Sequence, residues 1–197
     1  MTAAREVHPR GILLVLAGTS GAGKGTIGKA LRARNPELRW SVSWATRPAR
    51  PGEVDGVDYH FRSRDEFERL RDAGGFLESF EVYGDLKGTP RDLVEQWLAA
   101  GDDVLLEIDV KGALEVKRKM PEAVLVFVTP PSREAQRTRL VGRGHDSAEA
   151  IERRLAEAEE EETIARAEFD HVLVNDDLER AVEEVAGILA AHRSAAP

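Results

Sequence analysis

The chain has 197 residues, 42% of them hydrophobic and 32% charged, with a formal net charge of −8 and no cysteine. That is the make-up of an ordinary soluble protein, long enough for one α/β domain or two small lobes. The absence of cysteine excludes disulfides, thiol catalysis and cysteine-ligated zinc, and the negative balance excludes a nucleic-acid binder that works by bulk charge.

Residues 1–10 are polar, without the apolar core of a signal peptide, and no apolar run reaches the roughly 20 residues of a membrane span. We expect residues 1–10 and 193–197 to be flexible ends and the protein to be cytoplasmic, with no membrane contact. The first patterned stretch, Gly11 to Leu31, is an apolar strand (Ile12 to Ala17), a glycine-rich turn and a helix with Ile27, Ala30 and Leu31 on one face. The turn reads Gly18-Thr19-Ser20-Gly21-Ala22-Gly23-Lys24-Gly25-Thr26. Strand, glycine-rich loop and helix form a phosphate cradle: backbone N–H groups converge, the helix N-terminus adds partial positive charge, and Lys24 adds a full one. The G-x-x-x-x-G-K-[ST] pattern asks for a hydroxyl after the lysine, but Gly25 stands there and the hydroxyl comes one later, at Thr26. Mg²⁺ keeps several waters readily, so we expect it to be held largely through water and phosphate oxygens.

Trp40 to Ala45 alternates and predicts a strand. Thr46 to Gly56 is loop, dense in Pro, Gly and charge, and Val57 to Phe61 predicts a short strand. Ser63 and Glu66 form a capping-box signal for a helix to about Ala73. A strand is expected over Phe76 to Val82, then a turn, then a helix with Thr89 as N-cap and Pro90 at its first position.

From Asp103 strands and helices alternate. Apolar strands are expected at Val104 to Asp109, Val124 to Val128 and His171 to Val174. Helices are expected at Val110 to Met120, Ser132 to Val141, Ser147 to about Arg166 (capped by Asp146 and Glu149) and Asp177 to Ala191. Near-continuous apolar strands between helices predict an α/β fold, a parallel sheet covered on both faces. Residues 40–89 break that rhythm and read as a small mixed β-rich lobe inserted into a core of residues 11–39 and 90–192.

The chemistry-bearing side chains are chiefly cationic. Arg47 and Arg50 sit in a Pro-rich loop that stiffens them, and guanidinium forks suit phosphate oxygens. Arg143 lies in a Gly-Arg-Gly break, while Arg139 and Arg154 serve equally well as phosphate ligands or as a solvated helix face. Tyr59 is either a hydroxyl donor beside Arg47 and Arg50 or a buried strand tyrosine. Asp109 ends a strand on the ligand side of an open α/β sheet, where it can meet magnesium-bound water, hydrogen-bond a substrate or cap the next helix. The five histidines (8, 60, 145, 171 and 192) show no metal-ligand spacing, and no protein metal site is assigned.

Ser41-Val42-Ser43-Trp44-Ala45-Thr46-Arg47-Pro48-Ala49-Arg50-Pro51-Gly52-Glu53, followed by Gly56-Val57-Asp58-Tyr59-His60-Phe61, resembles the nucleoside-monophosphate site of guanylate kinases, roughly SVSxTTRxPRxGExxGxDYxF. The resemblance continues at Phe76-Leu77-Glu78, Gly88-Thr89, Leu106 to Gly112, Pro130-Pro131-Ser132, Gly142-Arg143-Gly144 and Val174-Asn175-Asp176, so it spans Gly11 to about His192. It implies Mg²⁺-dependent transfer of the ATP γ-phosphoryl group to GMP, and to dGMP, in purine nucleotide metabolism. Arg47, Arg50 and Tyr59 would hold the GMP phosphate. Ser43, Glu78, Thr89 and Asp109 would read guanine, whose N1–H and 2-amino group suit a carboxylate. Residues 18–26 would hold ATP, with Asn175 near the adenine. Arg139, Arg143 and Arg154 would belong to a mobile helical lid at about residues 137–157. Lys24, Arg47, Arg143 and Arg154 would then be the catalytic cations, and residues 40–89 the moving GMP lobe.

Three positions depart from the family pattern. Gly25 replaces the hydroxyl residue, Ala45 a common threonine, and Lys87 a tyrosine that would donate to the GMP phosphate. Lys87 can substitute as a point charge or point into solvent. Two rivals remain on the sequence: a guanylate-kinase-like module that binds peptides, opposed by the intact Lys24 loop and arginine set, and a P-loop kinase for another phosphorylated small molecule, opposed by Glu78 and Thr89.

Overall fold

The computed structural model describes residues 10–82, 84–142 and 147–195. Its centre is a five-stranded parallel sheet in the order β2-β7-β1-β8-β9, formed by Arg39–Trp40 (β2), Val104–Glu107 (β7), Leu13–Gly18 (β1), Val124–Thr129 (β8) and His171–Val174 (β9). The period-2 rule divides β1 between two cores. Leu14 and Leu16 face Ile27 and Leu31 of α1 (Lys24–Arg34) and Val182, Val185 and Leu189 of α7 (Leu178–Ala195). Leu13, Val15 and Ala17 face Val94 and Leu98 of α3 (Arg91–Ala99) and Ala113 and Val116 of α4 (Val110–Lys119). Both faces are covered, which is why these strands are near-continuously apolar. The central pairings, Leu14 with Leu105 and Leu14 with Val124, bring the carboxyl ends of β1, β7 and β8 to one rim, where the glycine-rich loop emerges.

A second, four-stranded mixed sheet has the order β4-β3-β6-β5, from His60–Phe61 (β4), Trp44–Ala45 (β3), Asp85–Pro90 (β6) and Phe76–Val82 (β5). Its small core stacks Phe67 of α2 (Arg64–Asp72) on Phe76, ring centroids 4.3 Å apart, with Leu86 alongside. The capping box is present: the Ser63 hydroxyl accepts from Glu66 N–H, and Glu66 accepts from Ser63 N–H. Two further helices, α5 (Arg133–Gly142) and α6 (Ala148–Glu168), follow β8, and Ser147 caps α6. Ser147, expected as the first helical residue, is the cap itself, with Glu149 in the first turn; the expected cap Asp146 lies outside the described residues.

Four expectations differ from the structure. Trp40 to Ala45 is two strands, with β2 in the first sheet and β3 in the second, so the chain changes sheets across Ser41 to Ser43. Only His60–Phe61 of the 57–61 segment joins the sheet, with Tyr59 in an isolated bridge to Asp55, because Gly56 turns the chain at φ 77° and Asp55 and Asp58 accept local backbone N–H groups. Asp85 to Pro90 is a strand rather than a turn and helix start: it is sandwiched between β3 and β5, and α3 begins only at Arg91. Finally, α7 continues to Ala195, and Arg193 donates to Gly101 O and Asp103 where a flexible end was expected. Among the described residues no helix is long and apolar enough to cross a membrane.

Candidate active site

The glycine-rich loop needs its glycines for close approach. Gly23 sits at φ 94°, and a β-carbon there would lie 2.4 Å from the Asn175 amide nitrogen. Gly23 also opens α1 without a side-chain cap, so no side chain covers the leading N–H groups of the helix. Lys24, the first residue of α1, donates from Nζ to Gly18 O (2.6 Å) and Thr19 O (3.3 Å). The position where the loop pattern expects a hydroxyl is occupied from elsewhere: a β-carbon at Gly25 would lie 3.3 Å from Oε1 of Glu107, at the end of β7. Sequence reasoning gave Glu107 no role. The signal was available, since Glu107 and Asp109 are two residues apart at the carboxyl end of a buried strand.

Four side chains approach the loop from outside. Gln136 of α5 donates to Ser20 O at 2.8 Å. Arg139 donates to Gly21 O, Ala22 O and Asn175 O, and the Asn175 amide donates to Ala22 O at 2.7 Å. Arg139 is thus engaged with loop carbonyls and does not stand open to solvent. Arg154 of α6 reaches the Ser20 hydroxyl at 3.0 Å. Arg143 lies outside the described residues. Thr26, Gly21, Gly23, Arg139 and Asn175 line a cavity of about 520 Å³ on the outer side of the loop.

On the inner side, a cavity of about 230 Å³ is lined by Lys24, Ser43, Tyr59, Glu78, Lys87 and Asp109, with Glu107 beside them. The register of β5 against β6 sets Glu78 opposite Thr89, and Thr89 Oγ1 donates to Glu78 Oε1 at 2.6 Å. Ser43 Oγ lies 3.3 Å from Thr89 Oγ1. Glu78 is 5% exposed. Burial pushes its carboxyl up to about 7; the Thr89 hydroxyl opposes the shift and the negative charge of Asp109 adds to it. Asp109 serves two purposes, accepting from Gly112 N–H at 2.7 Å as the N-cap of α4 while lining the cavity.

The cationic end is built around Tyr59. Arg47 lies 5.1 Å from the ring centroid, and the Lys87 ammonium lies 5.0 Å from it, so Lys87 is turned to the site. Arg47 is 8% exposed and forms a fork with Glu53, two contacts of 2.6 Å each. That fork holds the Glu53 carboxyl down at about 2. The Arg47 Nε–H is buried with no acceptor among the described residues. Arg50 is exposed, and its backbone joins this cluster, the N–H donating to the Glu53 carboxylate and the C=O accepting from Glu53 N–H. Among the described residues no group of three or more His, Asp or Glu could hold a metal ion. His171 and His192, 21 residues apart in the chain, do meet with their Nε2 atoms 3.3 Å apart.

The geometry sets a phosphate cradle and a carboxylate-hydroxyl cluster on either side of one cleft. A sequence model of guanylate kinase matches residues 10–192. The guanylate kinase of Symbiobacterium thermophilum is 54% identical over 188 residues, covering 94% of this chain and 88% of the relative. That of Thermus thermophilus is also 54% identical, covering 93% and 83%. The crystal structure of guanylate kinase from Anaplasma phagocytophilum superposes with a TM-score of 0.76 at 35% identity, covering 93% of this chain and 86% of that one. The chain belongs to the guanylate kinase family, the ATP:GMP phosphotransferases.

Proposed function

We propose that this chain binds ATP at residues 18–26 and GMP in the 230 Å³ cavity, and transfers the γ-phosphoryl group from the first to the second. The observation that carries the assignment of sites is the Glu78–Thr89–Ser43 cluster facing Lys24 across that cavity. A carboxylate fixed by one hydroxyl keeps lone pairs for the N1–H and 2-amino donors of guanine; adenine offers no such pair. Ser43, Thr89 and Asp109 complete the base site. Arg47, Arg50, Tyr59 and Lys87 form the GMP phosphate site. Arg47 keeps its Nε–H and one N–H of its terminal groups after the Glu53 fork and its bond to Pro48 O.

The attacking atom is an oxygen of the GMP phosphate, already ionised at neutral pH. It forms the new P–O bond as the bond from the γ-phosphorus to the β-γ bridging oxygen breaks, and the products are GDP and ADP. An ionised nucleophile requires no strong general base. Lys24, Arg143 and Arg154 would spread the charge of the transferring group, and closure of the lid and of residues 40–89 would exclude water. When bound, Mg²⁺ neutralises phosphate charge. The oxygen donors here suit it: the Glu107 carboxylate would hold it beside Gly25, with phosphate oxygens and water completing the shell. The 2′ position of the acceptor has no assigned partner, so dGMP is an expected alternative acceptor. The cysteine-free composition favours a reducing compartment, the cytoplasm.

The test is coupled detection of ADP formation from Mg-ATP with GMP, dGMP, AMP, UMP or CMP. Turnover confined to the two guanine nucleotides is the expected result. Equal turnover with AMP would remove Glu78 from its role, and no turnover from a folded protein that binds ATP would point to another phosphate acceptor.

A further inference from the structure

A peptide plane carries its C=O and N–H on opposite edges. A loop that aims N–H groups inward at a phosphate must therefore aim the matching carbonyls outward, and an outward carbonyl buried in protein needs a donor. In this chain each of five consecutive loop carbonyls has one. Lys24, from the side of the inner cavity, takes those of Gly18 and Thr19; from outside the loop, Gln136 takes that of Ser20, Arg139 those of Gly21 and Ala22, and Asn175 makes a second bond to Ala22.

Gln136 is the least expected member, a fully buried amide on a helix where an aliphatic side chain would pack as well. Its helix lies directly on the loop: a β-carbon at Gly21 would sit 3.3 Å from Gln136 O and from the Leu140 side chain. The other end of the amide is also held, because Arg133 donates to Gln136 Oε1 at 2.9 Å, which fixes the nitrogen toward Ser20. Arg133 is in turn 3.3 Å from Glu162 of α6, and Glu162 accepts from Thr129 Oγ1 at 2.9 Å. The same α6 sends Arg154 to the Ser20 hydroxyl. Ser20 is thus gripped on its carbonyl by α5 and on its hydroxyl by α6.

We propose that Gln136, oriented by Arg133 and Glu162, is a positioning residue for the phosphate loop, setting the Ser20–Gly21 peptide plane so that the Gly21 N–H points at the ATP phosphates. This rests on the assignment of residues 18–26 to ATP. It touches no reacting atom; it acts through the loop. It also ties the geometry of the loop to the position of α6, the helix that carries Arg154.

The experiment compares Gln136→Leu and the milder surface variant Arg133→Gln with the unaltered chain. Calorimetry gives the Kd of inorganic tripolyphosphate, which reports the cradle without a base, and of GMP; steady-state kinetics gives KM for each nucleotide. The expected result for Gln136→Leu is a loss of tenfold or more in tripolyphosphate affinity with a matching rise in KM for ATP, and GMP affinity within twofold of the parent. Arg133→Gln should move the same quantities in the same direction by a few-fold. Adding it to Gln136→Leu should cost nothing more, because the two act in one chain of contacts. Tripolyphosphate affinity within twofold of the parent in both variants would overturn the proposal, as would a parallel loss of GMP and tripolyphosphate binding. Failure of the unaltered chain to bind either tripolyphosphate or ATP would overturn the ATP assignment itself, and this proposal with it.

Discussion

Glu78 is under two opposed demands. In its proposed role as the guanine ligand it must be ionised, yet burial favours its neutral form and raises its pKa from 4.5 to about 7. A carboxyl whose pKa rises on folding contributes stability that is complete below the unfolded value, near 4.5, and is lost as pH rises through about 7. A neutral amide at this position does not suffer that loss. Glu78→Gln is therefore expected to be more stable than the parent above pH 7, by up to about 3 kcal/mol in chemical denaturation, and to lose selectivity for GMP over AMP. In the parent, KM for GMP should climb about tenfold per unit as pH falls below 7, since the base must draw a proton off Glu78. A flat KM between pH 6 and 8 would refute this. At the other end of the site, Glu53 orients Arg47 through a two-point fork. Glu53→Gln keeps the shape but weakens the fork, and KM for GMP should rise by roughly three- to tenfold with a smaller change in kcat. Lys24→Met should lower kcat by about 10²–10³, the usual cost of removing one preorganised donor from developing charge.

At the level of elements, legibility followed self-sufficiency. β1 and β8 are near-continuous apolar runs, and α2 carries a capping box, so each announces itself locally. β6 does not. Asp-Leu-Lys-Gly-Thr-Pro has poor strand propensity and is extended only because β3 and β5 flank it. The site divides the same way. The phosphate loop and the residues matching the guanylate kinase pattern, Glu53 among them, stand out in the sequence, whereas Gln136 meets Ser20, 116 residues away, only through folding. Gly88 shows how tightly β6 is fitted: a β-carbon there would meet Glu78 O at 2.7 Å and the Phe76 ring at 2.9 Å. Gly88→Ala should cost about 1–3 kcal/mol in urea denaturation and disturb Glu78 as well. Ser63→Ala, which removes only the cap of α2, should cost about 1 kcal/mol and leave nucleotide kinetics unchanged.

Across the whole molecule, the two sheets meet along the cleft that holds the site, and the way the second joins the first is simple. The chain leaves the parallel sheet from β2 and returns through α3 into β7, and β2 and β7 are neighbours, with Arg39 beside Val104 and Trp40 beside Leu105. Departure and return therefore lie side by side at one edge of the core. A segment attached in this way is a cassette. Exchanging residues 41–90 with the matching segment of a relative should transplant the part of the acceptor preference set by positions 43, 78 and 89, with Asp109 staying behind in the recipient, while the affinity for ATP stays that of the recipient. Paired KM measurements on such a chimera would read the two halves separately. Recombination at this one seam offers a route by which a phosphate-transferring core can be given new acceptors without being rebuilt.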